Sequence, residues 1–198
     1  MRRPGRRRVN ERDINEAEAK PQRPVDPERA RTRTLQRAVK LLAAKPRSVA
    51  EMRERLREKE WASDEAIEYA IAKLTEYGYL NDEQFALGYA AARVRQRAVG
   101  RGRLARDLQM KKIDRETAEQ TLEKVFTETP EADLLDRALE KRLRLRGRPT
   151  TRQETKSLFD HLLRLGFSYD LIINKVRAAS AADVDEDEAI ADGDEVSS

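Results

Sequence analysis

The sequence predicts an all-α protein of three tandem three-helix repeats, spanning 34–80, 81–128 and 129–180 and stacked into an elongated, curved array. Three observations lead there. Of 198 residues, 39% are charged and only 5% aromatic, a composition that suits thin-cored helical repeats with heavily solvated surfaces. Caps, prolines and glycines punctuate nine helical segments, and no segment alternates as a strand does. A leucine, a large apolar residue, a cap and an apolar face recur in one order at offsets of 52 and 54 residues.

Taken in order, Asp26-Pro27 supplies a cap and an N1 proline for the first helix. Its face is Leu35, Ala38, Val39 and Leu42, and Lys45-Pro46 ends it. Ser48 and Glu51 read as a capping box ahead of Met52 and Leu56, and Ser63 caps a third helix bearing Ile67, Ala70, Ile71 and Leu74. Then comes "EYGYLNDEQFA", residues 76–86, which resembles an active-site loop at first sight. Gly78 suits the left-handed position just past a helix end. Asn81 suits the next N-cap, with Gln84 three residues on and Asp82 and Glu83 at the favourable end of the dipole. Tyr79 and Leu80 are then a buried bridge, and Phe85 and Tyr89 open the next apolar face. Read so, the stretch is helix punctuation.

Gly100 and Gly102 interrupt the pattern, and Leu104 and Leu108 resume it. Asp114 caps a helix with Ala118, Leu122 and Val125. Thr129-Pro130 starts a long one through Leu135, Leu139 and Leu143, ending at Gly147. Thr151 and Glu154 form a second capping box before Leu158, Leu162 and Leu165. Gly166 closes that helix, and Ser168 caps the last, with Ile172 and Val176.

The repeat rests on Leu56, Leu108 and Leu162, followed five residues later by Trp61, Ile113 and Phe167. A cap follows each, and then the faces Ile67/Ile71, Ala118/Leu122 and Ile172/Val176, with one residue inserted after Trp61 in the first copy. The three leucines are expected to be equivalent and buried. A unit this small cannot hold a core alone, so neighbours must stack.

Charge is unevenly spread. Residues 1–33 carry +5, residues 34–180 carry +7, and residues 181–198 carry eight acids and no base. Both ends have the composition of disordered segments, a basic arm and an acidic tail. The tail, tethered to a basic body, is expected to occupy its arginine face and compete with phosphates there. There is no cysteine and a single histidine, His161, which excludes disulfides, thiolate metal sites and paired-histidine zinc sites. No apolar run approaches the ~18 residues of a membrane span, and the N-terminus lacks a signal-peptide core. The expectation is a cytoplasmic monomer with no membrane association. With no nucleophile–base pair in view, no enzyme, metal or cofactor is expected.

A basic body suggests a polyanionic partner. The densest basic run holds Arg93, Arg95, Arg97, Arg101, Arg103, Arg106, Lys111 and Lys112 against one acid, Asp107. Arg93 and Arg97, four apart, share a helix face, and Arg103 and Arg106 nearly do. A second run offers Lys141, Arg142, Arg144, Arg146 and Arg148. Arginine forks suit phosphate and carboxylate alike. The Gly-Arg-Gly at 100–102 is no phosphate loop, since no strand precedes it and no Lys-Ser/Thr follows.

"AVKLLAAKPRSVAEMRERL", "GYLNDEQFA", "GRGRLARDL" and "LLRLGF", in this order over residues 34–178, resemble the regulatory protein RecX family. Asn81 stands where that family usually has Asp, a swap between two good caps, and the arm and tail lie outside the family core. The resemblance implies a modulator of RecA recombinase, usually an inhibitor, acting in recombinational repair and the SOS response. Such proteins dock in the groove of the filament that RecA forms with single-stranded DNA and ATP, and they suppress ATP hydrolysis and strand exchange. Direct contact with DNA stays open. The other reading is an independent helical DNA- or RNA-binding protein that uses the arginine-rich face and arm.

Overall fold

The computed structural model describes residues 26–179, and these residues form nine α-helices and no strand. The basic arm, apart from its last residues, and the acidic tail lie outside the described residues. The helices are α1 (Pro27–Ala44), α2 (Val49–Arg57), α3 (Asp64–Glu76), α4 (Asp82–Gln96), α5 (Arg101–Met110), α6 (Arg115–Glu128), α7 (Glu131–Arg146), α8 (Arg152–Arg164) and α9 (Tyr169–Ala179). Each helix packs mainly against the other two of its triplet, α1–α3, α4–α6 or α7–α9.

Most starts follow from capping chemistry. Side-chain oxygens of Asp26, Ser48, Ser63, Asn81, Asp114 and Thr151 accept backbone N–H groups of the first turn. Each satisfies a donor that the helix cannot. Residues 27–33, counted with the arm by charge, are helix, as the Asp26–Pro27 start implies: Asp26 caps at 3.1 Å and Pro27 presets the first turn. The face of α1 also differs from expectation. Its buried stripe is Ala30, Thr34, Ala38 and Leu41, while Val39 is exposed. Ala38 is buried as expected and Leu35 and Leu42 pack at the core's margin, while the small Ala30 and Thr34, which an apolar count passes over, complete the stripe against α3.

Two apolar cores result. One lies wholly within the first triplet, around Met52, Leu56, Ile67, Ile71, Leu74 and Leu80. The other runs without a break through α4–α9, so the second and third triplets share it. Leu56, Leu108 and Leu162 are all fully buried. Of the residues five positions on, Ile113 and Phe167 are buried, but Trp61 is only half-buried beneath the Arg33 guanidinium, 4.1 Å from its ring centroid. Tyr79 is exposed and only Leu80 is buried. The left-handed Gly78 (φ 71°) turns the chain so that one side of the Tyr79–Leu80 pair faces the core and the other faces water.

The triplets are joined through the ends of their middle helices. The Gly100 and Gly102 N–H groups, at the start of α5, donate to the Leu165 and Gly166 carbonyls at the end of α8, both at 2.9 Å. The Arg101 N–H donates to the Glu131 carboxylate of α7. These contacts form the second junction; at the first, between the first and second triplets, the Ser48 hydroxyl at the start of α2 donates to the Lys111 carbonyl at the end of α5 at 2.8 Å. The positions correspond: Ser48 and Gly100 lie eight before their leucines, and Lys111 and Leu165 three after theirs. Helices α8, α5 and α2 therefore queue C-terminus to N-terminus, which satisfies orphan backbone groups and sets each negative helix end against a positive one. At the far end, among the described residues, no helix end donates to or accepts from the start of α8. It closes itself with the Thr151–Glu154 capping box, as terminal repeats must.

Candidate functional site

The basic run folds around an aspartate. Asp107, on α5, is nearly buried and accepts Arg93 Nε at 3.0 Å and Arg103 Nε at 3.2 Å. The guanidinium groups are not interchangeable with the rest of the run, because removing either leaves a buried carboxylate less compensated. Lys111 is committed as well: its Nζ lies 2.6 Å from Glu51 across the first junction and sits over the Tyr89 ring. Burial by itself would raise the Glu51 carboxyl, but the hydrogen bond and charge of Lys111 outweigh it and hold the group below its ordinary value. Lys112 reaches Glu54, and Arg95 Nε folds back onto the Ala91 carbonyl of its own helix.

Arg97, Arg101 and Arg106 remain, exposed and without a carboxylate on their side chains among the described residues. Arg97 is the C-cap of α4, in extended backbone, so it does not continue the Arg93 face as expected from their spacing. The second run lies on the last turns of α7 and just past them. Lys141, Arg144, Arg146 and Arg148 are exposed and Arg142 is half-buried. Burial, then the charges of Arg142 and Arg164, hold the His161 imidazole below its ordinary value. That field shows how near α7's cations come to the end of α8.

The residue that sequence reasoning missed is Arg164. It lines an open groove of about 600 Å³ between α5 and α8, with Arg103, Arg106, Asp107, Met110 and Leu163. Arg106 and Arg164 lie 58 positions apart and meet only because the second junction docks α8 against α5. The one available signal was "LLRLGF", in which Arg164 directly precedes the docking carbonyls.

Asp82 has a capping role in this geometry. Its carboxylate accepts the Val49 N–H at 2.8 Å, so a residue in the first turn of α4 also caps α2. Burial pushes its carboxyl above the ordinary value, although the Val49 N–H opposes this. Asp82→Ala should cost about 1 kcal/mol by leaving that donor unsatisfied. Asp82→Asn keeps an acceptor oxygen and should stay within ~0.5 kcal/mol at pH 7. A carboxyl raised in the fold favours the folded state most when protonated. The stability of the parent relative to Asp82→Asn should therefore fall as pH rises from 3.8 through the folded value, read by urea denaturation across pH 4–7.

Among the described residues, no helix is long and apolar enough to cross a membrane, and no group of three or more His, Asp or Glu is placed to hold a metal.

The family model described as "RecX, first three-helix domain" matches residues 35–74, and "RecX, second three-helix domain" matches 81–122. Those spans correspond to α1–α3 and α4–α6. The regulatory protein RecX of Salmonella newport is 32% identical over 135 residues, 64% of this chain and 78% of that protein. The chain belongs to the RecX family. The regulatory protein RecX of Bacillus velezensis is 34% identical over 136 residues, 69% of this chain and 51% of that protein. The chain thus spans about half the length of the Bacillus relatives it matches. The crystal structure of RecX from Lactobacillus salivarius superposes with a TM-score of 0.67 at 23% identity, over 76% of this chain and 96% of that one. At that identity it speaks for the fold: an all-helical array of three-helix units.

Proposed function

We propose that this chain is a regulator that binds along RecA filaments assembled on single-stranded DNA with ATP, and that it inhibits their ATP hydrolysis and strand exchange. The observation that carries the reading is the direction of the array. A queue of middle helices, joined end to end at corresponding positions of both junctions, carries arginines of the second and third triplets that meet no carboxylate among the described residues. Such a surface matches a periodic polyanionic partner better than a point ligand, since several modest contacts engage together. Membership of a family whose relatives are named regulatory proteins supports it further. On this reading the molecule is a cytoplasmic, non-enzymatic regulator.

The test is a titration of RecA ATPase with DNA length varied. A filament regulator should inhibit at amounts far below one per RecA. Inhibition that appears only when the protein suffices to coat the DNA would instead identify an independent nucleic-acid binder. Arg97→Glu, Arg101→Glu and Arg106→Glu together should weaken filament binding by about 10–100-fold, at roughly 0.5–1 kcal/mol for each exposed charge. Circular dichroism should not change, because none of the three side chains pairs with a carboxylate among the described residues. Arg93 and Arg103 are the wrong residues for this purpose, since reversing them would place three carboxylates around a nearly buried position. Full inhibition by the triple variant would move the binding surface to the Lys141–Arg148 run.

A further inference from the structure

We infer that the groove between α5 and α8 is the docking site of the chain's own acidic tail, residues 181–198. Two features of the groove define its ligand. Arg103, Arg106 and Arg164 give it a positive rim, and its one acid, Asp107, is already held between Arg93 and Arg103. Between those charges lie exposed apolar groups, Met110 at 81% and Leu163 at 38%. A free phosphate or a nucleic-acid backbone satisfies the arginines but leaves the methionine and leucine in water. A segment with carboxylates on both sides of aliphatic residues satisfies both.

The tail has that chemistry. "DVDEDEAIADGDEV" sets Val184, Ile190 and Val196 among eight acids with no base. It is also within reach. The groove lies at the end of α8, four residues of turn separate α8 from α9, and α9 is 11 residues long. At ~1.5 Å rise per residue α9 ends about 16 Å from its start. Eighteen residues can extend to roughly 60 Å. Tethering at that range gives a local concentration on the order of millimolar, so weak contacts suffice. Arginine–carboxylate forks at the rim give the docking its salt sensitivity. The docked tail covers Arg106 and Arg164, and a polyanion must displace it to use them. That regulatory consequence rests on the function proposed above; the docking itself does not.

The experiment therefore reads docking without RecA or DNA. The chain has no cysteine, so Ala191→Cys in the full-length protein takes a single nitroxide label. Methyl-labelled methionine gives two internal probes, Met110 in the groove and Met52 buried in the first triplet. At 50 mM salt the Met110 signal should lose most of its intensity to paramagnetic broadening while Met52 keeps its own. Raising salt to ~0.5 M, or introducing Arg106→Glu with Arg164→Glu, should restore Met110 without altering circular dichroism or the Met52 shift. Equal broadening of both methionines, or no response to salt, would overturn the docking. So would broadening that appears only when labelled tails and methyl-labelled bodies are on different molecules, because the occupant would then be a second copy.

Discussion

Gly166→Ala and Gly100→Ala should each destabilise the protein by about 3 kcal/mol or more and loosen the third triplet from the second. At the second junction two backbones touch with no side chain between them. A Cβ on Gly100 would lie well under 3.0 Å from the Gly166 carbonyl and the Phe167 nitrogen, and one on Gly166 equally close to the backbone of Arg103. Backbone cannot rotate away as a side-chain tip can, so the helices must part, and parting breaks both 2.9 Å hydrogen bonds. Overpacking alone costs about 1–3 kcal/mol, and lost bonds to buried backbone add to it. Gly166 carries an additional penalty, because at φ 87° an L-residue is strained. Gly102→Ala is the internal control: its Cβ would meet only the Gly166 oxygen at 3.2 Å, and helix propensity favours alanine by about 1 kcal/mol. Trp61, the single tryptophan, lies in the first triplet, so its fluorescence follows that unit while circular dichroism follows all nine helices. In urea the two transitions should separate in Gly166→Ala and coincide more closely in the parent. Coincident transitions within ~0.5 kcal/mol of the parent would mean that the junction tolerates a methyl group and is not close-packed.

Leu56→Ala, Leu108→Ala and Leu162→Ala should each cost ~2–5 kcal/mol, the range for truncating a fully buried leucine. All three side chains are wholly inaccessible. The costs should not be equal, however. Leu56 belongs to the smaller core of the first triplet, whereas Leu108 and Leu162 sit in one core spanning six helices. Leu56→Ala should therefore shift the Trp61 fluorescence transition most, and the other two should shift the circular dichroism transition with little effect on Trp61. Denaturation midpoints that fall by less than ~0.5 kcal/mol equivalent for two of the three would break the equivalence of the repeats.

The sequence by itself determined most of the helices, because six starts are a local matter of a side-chain oxygen and the N–H groups two or three residues on. Asp26, Ser48, Ser63, Asn81, Asp114 and Thr151 could all be read as caps without knowing what the helices touch. The leucine period and the absence of strand alternation made the all-α repeat class legible in the same way, since both are patterns along the chain. Partners distant in sequence were not legible. Ser48 looked like half of a capping box, yet Glu51 turns to Lys111 and the Ser48 hydroxyl also donates across a junction. Gly100 looked like an interruption and Gly166 like a helix stop, yet they are also where two backbones meet. Arg93 looked like part of a uniform basic face until Asp107 took it and Arg103 out of that face, while Arg164 entered it from another triplet. Capping depends on atoms within one turn, which sequence spacing specifies. Which charges are spent on one another, and which are left to meet a partner, depends on distances between helices, and only packing sets those.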